Sequence, residues 1–99
     1  MTDQPKVVRN DGEARYEVWV GDSLGGSAYY TERGEKIAVF THTEIGDAFA
    51  GQGLGKVLAK AALDDVVERG RVIVPECPFI AAYLRKNPGY EDHVRWPSH

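Results

Sequence analysis

Phe49 to Asp65 reads FAGQGLGKVLAKAALDD, and two patterns meet inside it. Gly51, Gly53 and Gly55 alternate over five positions. Leu54, Val57, Leu58, Ala61, Ala62 and Val66 then recur at helical spacing, with Lys56, Lys60, Asp64 and Glu68 on the other side. The spacing predicts the longest helix of the chain, ended by Gly70 as a residue just past the C-terminus. No Ser, Thr or Asp stands at its start. A helix start carries about four unpaired N–H groups and a partial positive charge. With no side-chain cap, and with glycines that let a ligand come close, that end suits an anionic group, most often a phosphate. The other reading is a tight turn that merely needs positive φ.

Upstream of the loop the period is two. Lys6–Asn10 and Ala14–Val20 read as strands around the turn Asp11-Gly12, and Tyr16, Val18 and Val20 alternate with Glu17 and Trp19. GDSLGGS (Gly21–Ser27) reads as a loop and Ala28–Arg33 as a third strand. Gly34-Glu35 is a tight turn into the β-branched run Lys36–Ile45. Downstream, Arg71–Val74 is a short strand. Pro78–Asn87 is a second helix with proline in its first turn, stopped before Pro88. The order ββββ-α-β-α predicts an α+β domain, an antiparallel meander extended by an α-β-α unit into a mixed sheet with helices packed on it. Its 99 residues make one domain, with 91–99 expected as a loose tail.

A formal net charge of −3 argues against nucleic-acid binding, which needs a basic face. No apolar run approaches a membrane span, and MTDQPKVVRN has no signal-peptide core. The single cysteine, Cys77, excludes an internal disulfide framework. The expectation is a cytoplasmic protein with no membrane or nucleic-acid partner and no metal.

Known phosphate loops do not fit. Ala50 to Val57 lacks the first glycine and the hydroxyl of a P-loop, and G-x-G-x-G after a meander is not the dinucleotide fingerprint. GQGLG leading into an apolar helix instead resembles the pyrophosphate loop of the GNAT superfamily of acetyl-CoA-dependent N-acetyltransferases. HTEI (His42–Ile45) and CPFIAAYLRKNPGY (Cys77–Tyr90) are similar to the H-T-E-V and C-P-[FY] motifs of its small single-domain subfamily. The resemblance covers roughly Tyr16 to Tyr90 and implies a minimal GNAT fold that moves an acetyl group from acetyl-CoA to an amine. It implies that Gly51, Gln52, Gly53, Leu54, Gly55 and Lys56 face the phosphates, and that the backbone of Thr43, Glu44 and Ile45 holds the pantetheine arm and the acetyl carbonyl. It departs from the family at Ala50, where Arg or Gln is usual; Lys56 can partly replace that contact. The acceptor amine is not named by any motif.

Three side chains are candidates for the chemistry. His42 can take a proton from the ammonium substrate, since imidazole titrates near physiological pH, or can simply pack on a sheet face. Glu44 can do the same work or be a solvated charge. Cys77, at the mouth of the last helix, can line the thioester pocket, be an inert buried residue, or carry the acetyl group. Tyr83 matches the position of a tyrosine proposed in the family to protonate the departing thiolate; otherwise it packs with Ile80 and Leu84. A rival to the enzyme is a non-catalytic acyl-CoA-binding or protein-interaction module on the same fold.

Overall fold

The computed structural model describes residues 4–97. Strands β1 (Pro5–Asn10), β2 (Arg15–Val20), β3 (Ser23–Arg33) and β4 (Ile37–Ile45) form an antiparallel meander. Helix α1 (Leu54–Glu68) then crosses to β5 (Val72–Pro75), which pairs with β4 in parallel, and α2 (Pro78–Lys86) follows. The sheet order is β1-β2-β3-β4-β5. Both helices lie on one face, since residues of α1 and α2 join a single buried cluster with Tyr16, Val18, Tyr30, Phe40 and Ile73. The element order and mixed sheet are those expected from the sequence.

Two expectations on the elements are corrected. The loop Gly21–Ser27 shrinks to a turn, and β3 starts at Ser23. Its glycines are needed for sheet packing: a Cβ on Gly26 would stand 2.6 Å from the Glu44 carbonyl oxygen. Val57, assigned to the apolar side of α1, is 39% exposed, and the buried stripe is Leu54, Leu58, Ala59, Ala62, Leu63 and Val66. A stripe at i, i+4, i+8 and i+12 outranks position 57 because α1 lies flat along the sheet. Leu58, Leu63, Ile73 and Ile80 are fully buried. Cutting any of them to alanine costs about 2–5 kcal/mol by the usual cavity effect.

Asp65 pins α1 to the first hairpin. Its Oδ2 accepts from Tyr16 OH at 2.7 Å and from Arg9 Nη1 at 2.9 Å. After α2 the chain forms a short 3-10 turn (Glu91–His93), and Arg95 N donates to Ile73 O at 2.8 Å, so Val94 and Arg95, within the stretch expected as a tail, lie against the β5 edge. His99 lies outside the described residues. Among the described residues, no helix is long and apolar enough to cross a membrane.

Candidate active site

Two features of the fold meet at one end of the sheet. The first is a strand that outruns its partner. β4 pairs with β5 only from Ile37 to Phe40, against Val72 to Pro75. The Phe40 carbonyl closes that ladder by accepting from Glu76 N at 3.0 Å and Cys77 N at 2.8 Å. Thr41 to Ile45 continue with β3 on one side and no strand on the other. Thr41 is the extra residue of a bulge, because Tyr30 pairs with Phe40 while Tyr29 pairs with His42. Gly46 N donates to Gly25 O at 2.8 Å, toward β3. Strand alternation therefore turns the peptide groups of Thr43 and Ile45 to the free edge.

The second feature is the start of α1. Gly53 is its N-cap, at φ 76°, with no side-chain cap. Among the described residues, the amides of Leu54, Gly55 and Lys56 make no backbone hydrogen bond. Gly51, Gln52, Gly53 and Lys56 are exposed. The glycines themselves have local reasons. Gly51 and Gly53 sit at φ 82° and 76°, and a Cβ on Gly55 would meet the Phe79 ring at 2.6 Å. The glycines therefore agree with the tight-turn reading as well; what speaks for an anion is the row of free amides.

The candidate side chains divide into two groups. His42, Thr43, Glu44 and Cys77 share the strand end. His42 Nε2 lies 3.1 Å from Glu44 Oε1, both side chains are mostly exposed, and the imidazole stacks on Tyr29 at 6.0 Å. Thr43 turns to the helix side, where its Oγ1 lies 3.3 Å from Cys77 Sγ. Cys77 is 2% exposed and is the N-cap of α2. Tyr83 belongs elsewhere. It packs on Tyr90 at 6.5 Å and lines a groove with Lys60 and Asp64. Six residues of helix put it ~9 Å along the axis from Cys77. Among the described residues, no group of three or more His, Cys, Asp or Glu could hold a metal.

On the helix-free face the strand pairing lines up two rows, Arg15–Tyr29–His42 and Glu17–Ser27–Glu44. Glu17 is 5% exposed. Burial pushes its carboxyl up, but donors from Asn10 (3.1 Å), Arg15 (2.7 Å) and Trp19 (3.1 Å) outweigh that and hold it below its ordinary value. Arg15 also donates Nη1 to Tyr29 OH at 3.2 Å and lies over the Tyr29 ring. No pattern in the chain singles out Arg15, Ser27 and Tyr29, because only the register joins them to His42 and Glu44.

Comparison with known proteins identifies the family of this fold. Residues 15–93 match the model of the GCN5-related N-acetyltransferase family. The chain belongs to that family. It is 41% identical over 68 residues to Protein NATD1 of Gallus gallus, covering 67% of this chain and 62% of the relative. It is 44% identical over 59 residues to Protein NATD1 of Homo sapiens, covering 60% of this chain and 52% of the relative. The chain thus spans about half to three fifths of the length of these relatives. The solution structure of a GCN5-like protein from Staphylococcus aureus is similar at a TM-score of 0.69 and 25% identity, covering 95% of this chain and 91% of that one. Ard1 from Thermoplasma volcanium shares the fold at a TM-score of 0.54 and 19% identity, covering 63% of this chain and 43% of that one.

Proposed function

We propose that the chain binds acetyl-CoA across the start of α1 and the free end of β4, and passes its acetyl group directly to an amine. The observation that carries this reading is the row of unpaired amides at Leu54, Gly55 and Lys56. Those donors and the positive helix end suit the pyrophosphate, with Gly51, Gln52 and Gly53 giving it close approach. The pantetheine arm then lies along the free edge of Thr43 to Ile45, where Thr43 and Ile45 offer backbone groups to it and to the acetyl carbonyl.

His42, next along the strand and mostly exposed, takes a proton from the ammonium. The neutral nitrogen attacks the thioester carbon, the C–S bond breaks, and the thiolate leaves. A free cysteine thiol ionises with a pKa of about 8.5, so a thiolate is a good leaving group, and the second proton lost by the nitrogen passes to it, giving amide and thiol. Cys77, under Thr43, lines the thioester pocket, and Tyr83 shapes the groove between the helices.

Calorimetric titration with acetyl-CoA tests the reading. Binding is expected for the parent and lost in Gly53→Glu, whose carboxylate would occupy the phosphate position. Equal binding by both proteins would reduce the loop to a turn. Binding with no thiol released on any amine would leave a CoA-binding module.

A further inference from the structure

Resting on the acetyltransferase reading, we propose that the helix-free face beside β4 is the acceptor pocket, and that it takes an alkyl-ammonium group with no carboxylate close to it. A cavity of about 480 Å³ opens there, walled by Ser27, Tyr29, Glu44 and Asp47 and reached by Arg15 at one side. It adjoins the strand end at which the thioester is held. His42 and Glu44 alternate with Thr43 and Ile45 along β4, so they face this side while Thr43 meets Cys77 on the other.

The chemistry of the walls selects the ligand. Arg15, the one cation among the described residues that line it, is already matched by Glu17 at 2.7 Å. Glu44 has only His42 beside it, at 3.1 Å. Asp47 makes no ion pair or side-chain hydrogen bond among the described residues. The uncompensated charge of the cavity is therefore negative. Ser27 opens into the same space. The residue is 4% exposed and lines the cavity, and its hydroxyl, accessible there, makes no hydrogen bond within the described residues. An ammonium seated between Ser27, Glu44 and Asp47 would supply one, with the Tyr29 ring as an aromatic wall suited to a cation.

In the transfer, His42 accepts one proton from that ammonium. The nitrogen then bonds to the acetyl carbon as the C–S bond breaks, giving amide and thiol. A carboxylate next to the amine would face Glu44 and Asp47 with no free cation to meet it, and like charges in apposition are costly. The same ammonium can come from a free amine or from a lysine side chain.

The test pairs amines of equal length. Propylamine is compared with 3-aminopropanoate, and Nα-acetyl-lysine N-methylamide is run beside 1,5-diaminopentane to separate the two sources. Propylamine is expected to exceed 3-aminopropanoate in kcat/KM by roughly tenfold. Asp47→Lys is expected to shrink or invert that ratio while leaving acetyl-CoA affinity unchanged. Backbone amide shifts on adding propylamine to the CoA-bound protein should map to Ser27, Glu44 and Asp47, whether or not transfer occurs. Binding there without transfer would uphold the pocket and overturn the enzyme. Shifts mapping elsewhere, or equal use of the two propyl amines, would overturn the pocket.

Discussion

Phe79 lies across Gly55, so that a Cβ on the glycine would stand 2.6 Å from the tip of the ring. The contact ties the mouth of α2 to the first turn of α1, the turn that carries the free amides. Two opposing effects follow for Gly55→Ala. Alanine in place of a helical glycine gains about 0.5–1 kcal/mol, and crowding a packed site loses about 1–3 kcal/mol. The ring is 39% exposed and can swing aside, but only by giving up the contact. Gly55→Ala is expected to destabilise the parent by about 1 kcal/mol and to stabilise a Phe79→Ala protein by about 0.5 kcal/mol. Urea denaturation of the four proteins measures the coupling. Additive changes would mean that the ring does not restrain residue 55.

Ala50 is exposed and immediately precedes the loop. Ala50→Arg supplies the charge that the wider family carries there. Binding of acetyl-CoA should tighten by about 1–2 kcal/mol at low ionic strength, and the gain should fade as salt rises, because an exposed guanidinium–phosphate contact is screened. Calorimetry at low and high salt reads both. An unchanged affinity at low salt would show that residue 50 faces away from the phosphates.

Much of this architecture was legible in the chain. Period two as far as Ile45, period 3.6 from Leu54, and Pro78 before an apolar run placed the elements within a residue or two, because each pattern is local. The start of β3 was not, since Gly25-Gly26 reads as a turn until the neighbouring strand shows that there is no room for side chains. The site divides the same way. The uncapped helix start is a sequence property. The rows Glu17–Ser27–Glu44 and Arg15–Tyr29–His42 depend on register and on the bulge at Thr41, which are set by pairing between distant segments. Tyr83 carried two readings in the sequence, a place near the thiolate and a packing role, and in the fold it packs on Tyr90 and lines a groove with Lys60.

Glu17 makes the stability of this face depend on pH. Its folded pKa is held below the ordinary value near 4.3, so its contribution is fully present above that value and is lost as pH falls through the lower, folded one. Glu17→Gln removes a charge that three donors serve, at a cost of about 1–3 kcal/mol at neutral pH. The gap between parent and variant should narrow on acidification below about pH 4. The same substitution frees the charge of Arg15, so it should also improve the use of amines that carry a carboxylate. Thermal denaturation across acid pH checks the first outcome. A gap that is constant with pH would show that Glu17 is not ionised in the fold.

The last prediction concerns the route of transfer. Cys77 is the only thiol of the chain, hence the only residue able to carry the acetyl group as a thioester. Its surroundings argue against that duty. The side chain is 2% exposed, and its sulfur lies 3.3 Å from Thr43 Oγ1. Passing acetyl from one thioester to another also gains little, because the two are similar in energy. Direct attack needs only a neutral amine, a base and donors for the oxyanion, and His42 with the free edge of β4 can provide these. Cys77→Ala should therefore keep substantial turnover, at a stability cost of about 1 kcal/mol for the missing sulfur. His42→Ala should lose more, because the ammonium then has no base beside it. Intact mass after incubation with acetyl-CoA alone, read beside the kinetics of both variants, decides the matter. A stoichiometric acetyl adduct on Cys77 that moves to added amine, together with a dead Cys77→Ala protein, would replace direct transfer with a two-step route through the thiol.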